Sequence, residues 1–467
     1  MRHSFLIAAA ALTALGLCGC ATSPTDPVRQ RAVTQALTAT EGTWPTDEWW
    51  KAYGDPQLDQ LIAEALTGSP SLALAKARVK RATAMNEATR ADLWPSFGAS
   101  GAVEAVKQSY NFGFPKQFVP KGYNDLGRVT LNFDWELDFW GKTRAAVAAA
   151  TSEAKAAAAD AALARLMLTT NIASDYAVYG RLVTDREITL QALKAREETL
   201  ALVGQRVDNG LDTQAELMQA RAGPPATRAE LAALDEDIAL TRNALASLVG
   251  AGPDRGLALQ TPGTVKLKPF GLPPRLAADL IGRRPDLAAA RWRAMAAARR
   301  IDQAKAAFYP DINLAAYFGG EALHLSQVFA QGSDIGQFGP AISLPIFQAG
   351  RLRAGVRGAR AERDMAVAAY DVTLVQALRE VADVTVSERA LGVRLRESQA
   401  ALSADEGAFT IAKLRYHGGL STYQAVLLSQ EAVLAQRRTV ADLEGRALAL
   451  DIELVRALGG GFVAGPS

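Results

Sequence analysis

The chain is written twice. TGSPSLALAKAR from Thr67 returns as GRRPDLAAARWR from Gly282, with Pro70 aligned to Pro285. DLWPSFGASGAV from Asp92 returns as AFYPDINLAAYF from Ala307, QRVDNGLDT from Gln205 as LRYHGGLST from Leu414, and ALASLVGAG from Ala244 as ELVRALGGG from Glu453. Four matches in one order at near-constant spacing mean that one supersecondary plan is used two times. The copies cover residues 46–250 and 263–460, with a linker over 251–262 and a tail over 461–467. Pro253, Pro262, Pro269, Pro273 and Pro274 punctuate the junction.

Each copy opens with a helical pattern, Gln57 to Ala91 and Pro274 to Ala307, that stops near a Trp-Pro or Tyr-Pro pair. Proline disfavours helix at the residue before it. Two alternating segments follow in each copy, about 96–106 and 128–139, then about 311–321 and 335–347. The clearest is RVTLNFDWELDF: Val129, Leu131, Phe133, Trp135, Leu137 and Phe139 alternate with Arg128, Thr130, Asn132, Asp134, Glu136 and Asp138. A period of two marks a strand with two unlike faces. Twelve residues is long against a usual strand of about 5–6. Pro340 and Pro345 weaken the ladder of the fourth segment.

Very long helical patterns come next, from Thr143 to about Arg206 and from about Arg351 to Arg415, and roughly 60 residues at 1.5 Å each reach about 90 Å. Leu193, Leu200 and Val207 recur every seven residues and align with Leu402, Phe409 and Tyr416, as in helices packed side by side. Both patterns turn at glycine, Asn209-Gly210 and Gly418-Gly419, where Asp212, Thr213, Ser421 or Thr422 can cap a returning helix. Gly223-Pro224-Pro225 is expected to kink the first return. The hairpins so formed span 143–250 and 349–458.

Composition excludes several classes. A net charge of +2 over 467 residues offers no basic face for nucleic acid. The three histidines are His3, His324 and His417, and no phosphate loop, Gly-x-Ser-x-Gly elbow or His-Glu-x-x-His pair occurs, so no catalytic site is expected. Both cysteines, Cys18 and Cys20, end a leader in which Arg2 and His3 precede the apolar run Phe5 to Leu17. Leu17-Cys18-Gly19-Cys20 resembles a bacterial lipobox. Gly19 suits the position before Cys20, so residues 1–19 read as a signal peptide, Cys20 as the lipidated residue and 20–45 as an anchored extended segment. Ala21, by resemblance to enterobacterial lipoproteins, directs the chain to the outer membrane.

Strands of this length suffice to cross a bilayer when tilted. Four strands cannot close a barrel, and an open edge in lipid leaves amides unsatisfied, so several chains must share one sheet. On this reading Phe133, Trp135 and Phe139 meet lipid, while Arg128, Asp134, Glu136 and Asp138 line a wet lumen. Three chains would bring nine carboxylates from Asp134, Glu136 and Asp138 to that lumen, favouring cations unless Arg128 and Lys142 cancel them.

The lipobox, WWKAYGDPQLDQLIAEAL from Trp49, RRPDLAAARWRAMAAARRIDQAKAAFYPDINL from Arg283, LSQVF from Leu325, the RVDNGLDT and RYHGGLST turns and the terminal LVRALGGGF together resemble outer-membrane factors of the TolC superfamily, in the OprM/NodT-like lipoprotein branch. The resemblance spans nearly the whole mature chain. It implies a homotrimer that joins a shared 12-stranded β-barrel to a periplasmic tunnel of α-helical hairpins. Its role would be the exit duct of a tripartite efflux pump, lipid-anchored in the bacterial outer membrane. The partners implied are a periplasmic adaptor and an inner-membrane pump of the resistance-nodulation-division type. No cofactor is implied beyond lipid on Cys20. By the same resemblance Arg206, Gly210, Leu211, Arg415, Gly418, Gly419 and Leu420 form an adaptor-docking tip, although any αα-hairpin needs a glycine turn. Relatives keep an acidic gate residue where this chain has Ser421, which moves the candidate gate to Asp208 and Asp212. Type I protein secretion and a periplasmic coiled-coil scaffold are the alternatives that the hairpins alone permit.

Overall fold

A computed structural model describes residues 44–111, 113, 115–263 and 282–464. The leader, Cys20, most of the anchored segment, the end of the tail and the proline-rich stretch holding Pro269, Pro273 and Pro274 lie outside these residues. In chain order the main elements are α1 (Pro56–Gly68), α2 (Pro70–Ala91), β1 (Ser96–Val106), β2 (Asn124–Glu136), α3 (Lys142–Asp208) and α4 (Gln214–Leu248). The second copy supplies α5 (Pro285–Ala306), β3 (Asp311–Leu323), β4 (Asp334–Ser343), α6 (Arg351–His417) and α7 (Tyr423–Ala457).

The repeat holds to the residue. Both α3 and α6 have 67 residues, and both α4 and α7 have 35. At 1.5 Å per residue the long helices reach about 100 Å. The expected first helix is two: Ser69, ahead of Pro70, leaves the helical region at φ −66°, ψ 123°, and α1 ends there. The expected kink site lies inside one assigned helix, since Pro224 and Pro225 are interior to α4. There Arg196 of α3 reaches the Gly223 carbonyl at 3.5 Å and hydrogen-bonds Thr227 Oγ1, packing along the stretch where proline removes two backbone donors.

The sheet runs β1-β2-β3-β4, antiparallel throughout, and the outer edges of β1 and β4 have no partner among the described residues. Pro340 does not break it, because β4 keeps register across Leu314↔Pro340. The strand holding RVTLNFDWELDF is shifted from expectation. It begins at Asn124, where Val106 offers a partner, and ends at Glu136.

Two clusters form the core where the helices meet beneath the sheet. Trp49, Trp50 and Tyr53, from a 3₁₀ turn ahead of α1, pack with Leu61, Ile62, Ile172, Tyr176, Leu245 and Ile452. Leu287, Tyr370, Leu374, Val381, Leu443 and Leu450 form the other. Within the first, Tyr53 Oη donates to Asp451 Oδ2 at 2.6 Å, and both residues are buried. Burial raises the Asp451 carboxyl to about 6, against the smaller opposing effect of the Tyr53 hydrogen bond, and Glu388 nearby is also raised, first by burial and then by Asp451. A folded pKa above the unfolded one means that stability is full at low pH and is lost as pH rises through about 6. Asp451→Asn is therefore expected to match the wild type in thermal stability at about pH 3, below the unfolded carboxyl value. At pH 7.5 it should exceed it by on the order of 2–3 kcal/mol. Melting curves at the two pH values check this, and an equal effect at both would refute the ionisation cost.

Candidate functional site

The sheet has two unlike faces. Phe97, Phe133, Ala316 and Phe338 align across all four strands, as do Ala99, Leu131, Phe318 and Gly336. Phe97, Leu131, Phe318, Phe338 and Ile342 on this face are exposed. The opposite face carries Ser100, Arg128, Thr130, Asn132, Asp134, Glu136, Asn313, Tyr317, Glu321 and Gln337. Its groups satisfy one another: Ser100 and Thr130 hydroxyls lie 2.9 Å apart, Asn132 donates to Ser100, and Arg128 pairs with Glu321 and stacks over Tyr317. Aromatic residues mark both ends. Trp94, Phe97, Trp135, Trp140 and Tyr309 sit at the helix end, where Trp135 and Trp140 donate to the Leu93 and Pro310 carbonyls. Phe118, Tyr123 and Phe329 are exposed at the far end. Such paired girdles flank a membrane-depth apolar band.

Two of the expected strand residues are elsewhere. Because β2 ends at Glu136, Asp138 and Phe139 lie in the link to α3 and are not strand positions. Asp138 accepts from the backbone amides of Thr143 and Arg144 at 3.2 and 2.8 Å and pairs with the Arg144 guanidinium. It is a helix-start acceptor, used because Gly141 at the N-cap has no side chain to offer. Glu136 is not a bare charge either: Lys142 binds it at 2.9 Å and Asp311 at 3.2 Å. Of the three expected carboxylates only Asp134 is exposed without an ion pair among the described residues. The nine-carboxylate ring is thus reduced. Asp311 and Glu321, which balance Lys142 and Arg128, were missed by sequence reasoning. Their signal was available, since both fall on the polar parity of the third alternating segment.

At the other end of the long helices the two turns are built alike. Gly210 and Gly419 take φ of 72° and 73°. Leu211 N donates to Arg206 O and Gly210 N to Val207 O; Leu420 N donates to Arg415 O and Gly419 N to Tyr416 O. These are paired Schellman turns, which need a glycine at the left-handed position. In each turn the leucine after the glycine is left on the surface, Leu211 at 64% and Leu420 at 73% exposed. Thr213, not Asp212, caps the first return through a capping box with Glu216.

Asp212 instead takes both Arg206 Nε and Nη2, at 2.9 and 3.2 Å. Arg206 also donates to the Tyr416 carbonyl, stacks over its ring at 4.5 Å, and Tyr416 Oη donates to Asp212. Tyr416 is fully buried with Tyr423, Val203, Leu217 and Val426, and its phenol is pushed up by burial and by the bond to Asp212. This bidentate pair ties the first hairpin to α6 of the second. The second tip has no such pair: Ser421 replaces the acid, and Arg415 is exposed with no ion pair among the described residues. Asp208 is likewise exposed. Tyr416 was legible as a heptad position; its hydroxyl contact across hairpins was not.

Comparison with known proteins follows this geometry closely. A family model described as outer membrane efflux protein matches residues 61–251 and 276–460, one segment per repeat. The multidrug resistance outer membrane protein MdtP of Shigella flexneri is 33% identical over 439 residues, covering 91% of this chain and 88% of that protein. The crystal structure of the outer membrane protein VceC of Vibrio cholerae is similar with a TM-score of 0.84 at 44% identity, over 90% of this chain and all of that one. The outer-membrane channel OprN is similar with a TM-score of 0.83 at 26% identity, over 94% of this chain and 98% of that one.

The bridge at the tip carries a direct consequence. Asp212→Asn leaves the half-buried Arg206 without its charge partner, and amide exchange over residues 207–217 is expected to speed by about tenfold, roughly 1.5 kcal/mol of local opening. Arg415→Gln, at the equivalent place in the other tip, should leave exchange there unchanged. Equal acceleration by both substitutions would show that charge in general, and not the bridge, holds the tip.

Proposed function

Because this chain belongs to the outer membrane efflux protein family, it is an outer-membrane efflux channel, and we propose that three copies close into a passive duct joining an adaptor-bound tip to the exterior. The observation that carries this is the open sheet. One face is apolar, with Phe97, Leu131, Phe318, Phe338 and Ile342 exposed, the other is polar and self-satisfied, and both edges lack a partner among the described residues. A lipid-facing wall of Phe133 and Trp135 and a wet wall of Arg128, Asp134 and Glu136 follow from those two faces.

The helices support the same count of chains. Residues buried on α3 have exposed apolar counterparts on α6: Ala156 at 1% against Met365 at 65%, and Leu166 at 7% against Val375 at 67%. Ala177 and Val386 repeat the contrast. Within the chain α3 packs on α5, where Ala159 meets Ala288 and Ala289. Among the described residues nothing covers the equivalent surface of α6, and α2 exposes Leu74 where α5 buries Ala289. On this reading α6 lies against α2 of the next copy, and six repeats complete the ring.

Cys20, followed by Ala21, would carry the lipid that anchors each chain to the outer membrane. The tip leucines, Leu211 and Leu420, with Arg206, Gly210, Arg415, Gly418 and Gly419, offer the docking surface for a periplasmic adaptor coupled to a resistance-nodulation-division pump. The Arg206–Asp212–Tyr416 bridge acts as the latch that must yield when the tip widens, with Asp208 and Ser421 beside it. The name of the MdtP relative supports drugs as cargo.

Leu74→Cys combined with Ala368→Cys, the pair equivalent to Ala289 and Ala159, is expected to give covalent trimers on oxidation, while either cysteine alone gives none. Monomers under the same conditions would remove the ring. In cells relying on this duct, Leu211→Glu with Leu420→Glu should abolish drug resistance while the double-cysteine background still crosslinks. Resistance unchanged by both glutamates would remove the docking assignment.

A further inference from the structure

The LSQVF motif does not belong to the tip, to the tunnel or to the polar wall. Residues 325–333 instead form a strap laid over the apolar face of the sheet at its far end. Leu325–Gln327 is a 3₁₀ turn, and Val328 beyond it is buried. The strap is held at both ends. Leu325 N donates to Asp125 Oδ2 at 2.8 Å and His324 N to the Asp125 carbonyl at 2.6 Å, while Glu321 N donates to Ser333 O at 2.8 Å. His324 takes φ of 77°, uncommon for a residue with a side chain.

Glycine makes room for the strap. A Cβ on Gly127 would lie 2.5 Å from Val328 Cγ2 and 2.9 Å from Leu325 Cδ1, and one on Gly320 would lie 2.1 Å from Val328 O. Gly127 shares its parity with Val129, Leu131 and Phe133, and Gly320 pairs with Val129, so the strap rests on the apolar face. Between strap and sheet runs a groove of about 360 Å³, lined by Val129, Leu131, Phe318, Val328 and Phe329, with Asp334 at one edge. Phe329 overhangs it at 84% exposed.

We propose that this groove is a binding site for a single fatty acyl chain of an outer-membrane lipid, held between Phe329 and the strand residues Leu131 and Phe318. The proposal rests on the reading above that the apolar face meets lipid. The groove is continuous with that wall. Its side chains offer no cation for a phosphate, and the Asp334 carboxylate repels one, so the hydrocarbon chain and not the headgroup is recognised. The strap rests on β2 and β3, the two inner strands, and the groove reaches the outer strand β4 only at Asp334. A second copy is thereby the poorer occupant.

The test uses the full-length trimer in phosphatidylethanolamine vesicles doped with the same lipid bearing an acyl-chain diazirine. A second arm is doped with lipid A bearing the same group. After illumination, adducts mapped by peptide mass spectrometry should concentrate on 328–330, Leu131 and Phe318 over Phe338 and Ile342, which lie on the same wall outside the groove. The arm with the higher yield identifies the source of the chain. Phe329→Ala, at an exposed position, should lower groove labelling about fivefold, close to 1 kcal/mol, and leave Phe338 unchanged. Uniform labelling of the wall, or labelling at Phe338 with none in the groove, overturns the site while keeping the lipid-facing wall. Absence of labelling at Phe338 and Ile342 as well overturns the wall reading itself. Photocrosslinking of a benzophenone side chain placed at position 329 to a neighbouring chain would assign the groove to the trimer contact and overturn the proposal.

Discussion

Everything in this molecule follows from the unpaired amides at the edges of its sheet. At membrane depth no water reaches them, and each unsatisfied group costs several kcal/mol. One chain supplies four strands, which is too few to close. The sheet can therefore exist in lipid only as part of a ring of chains, and that ring dictates what the rest of the chain must do. The helices leaving it inherit its symmetry, and their unmatched apolar stripes repeat around the same axis. A duct results because a closed sheet with an apolar outside has a polar inside.

The internal repeat makes such a ring economical. Equal helix lengths in the two copies, 67 and 35 residues, let six hairpins stand side by side at one level. The contrast between buried Ala156 and exposed Met365 shows how one sequence position serves two interfaces. Inside the chain the position is small and meets α5. On α6 it is large and exposed, and in the proposed ring another chain's α2 fills against it. Small-to-large exchange across equivalent sites keeps a ring from being perfectly sixfold and fixes which contacts lie within a chain.

Much of this was legible in the sequence because periodicity reports burial directly. Val129, Leu131, Phe133 and Trp135 announce their face by parity, and the glycine turns announce the tips by the positive φ that they require. What was not legible depends on three-dimensional neighbours. Asp138 has the parity of a lumen residue, yet the helix beginning at Lys142 needs an acceptor for its first amides, and Asp138 is the side chain in reach. Asp212 looks like a cap beside Thr213, but a buried tyrosine 204 residues away claims it. The split of the first helix at Ser69 needed only the rule for residues before proline. Pro224 and Pro225 show the opposite case, where a packed neighbour carries a helix through.

The two tips are where the repeat departs from itself with most effect. Both turns share backbone geometry, so both present a leucine at the same place. Their charges differ. The first tip pairs Arg206 with Asp212, keeps the exposed Asp208 beside the turn and is tied to α6. The second replaces that acid with Ser421, leaving Arg415 exposed beside Leu420. Around a ring of three chains, tips with an exposed carboxylate at Asp208 then alternate with tips with an exposed guanidinium at Arg415. On the docking proposed above, a binding partner meets apolar anchors at six positions but an exposed guanidinium from Arg415 at only three. Apolar contact supplies affinity at every tip, and charge supplies register at alternate ones. In that docking a partner carrying carboxylates is drawn to the second hairpin, while the first stays tied to α6 by the Arg206–Asp212–Tyr416 bridge.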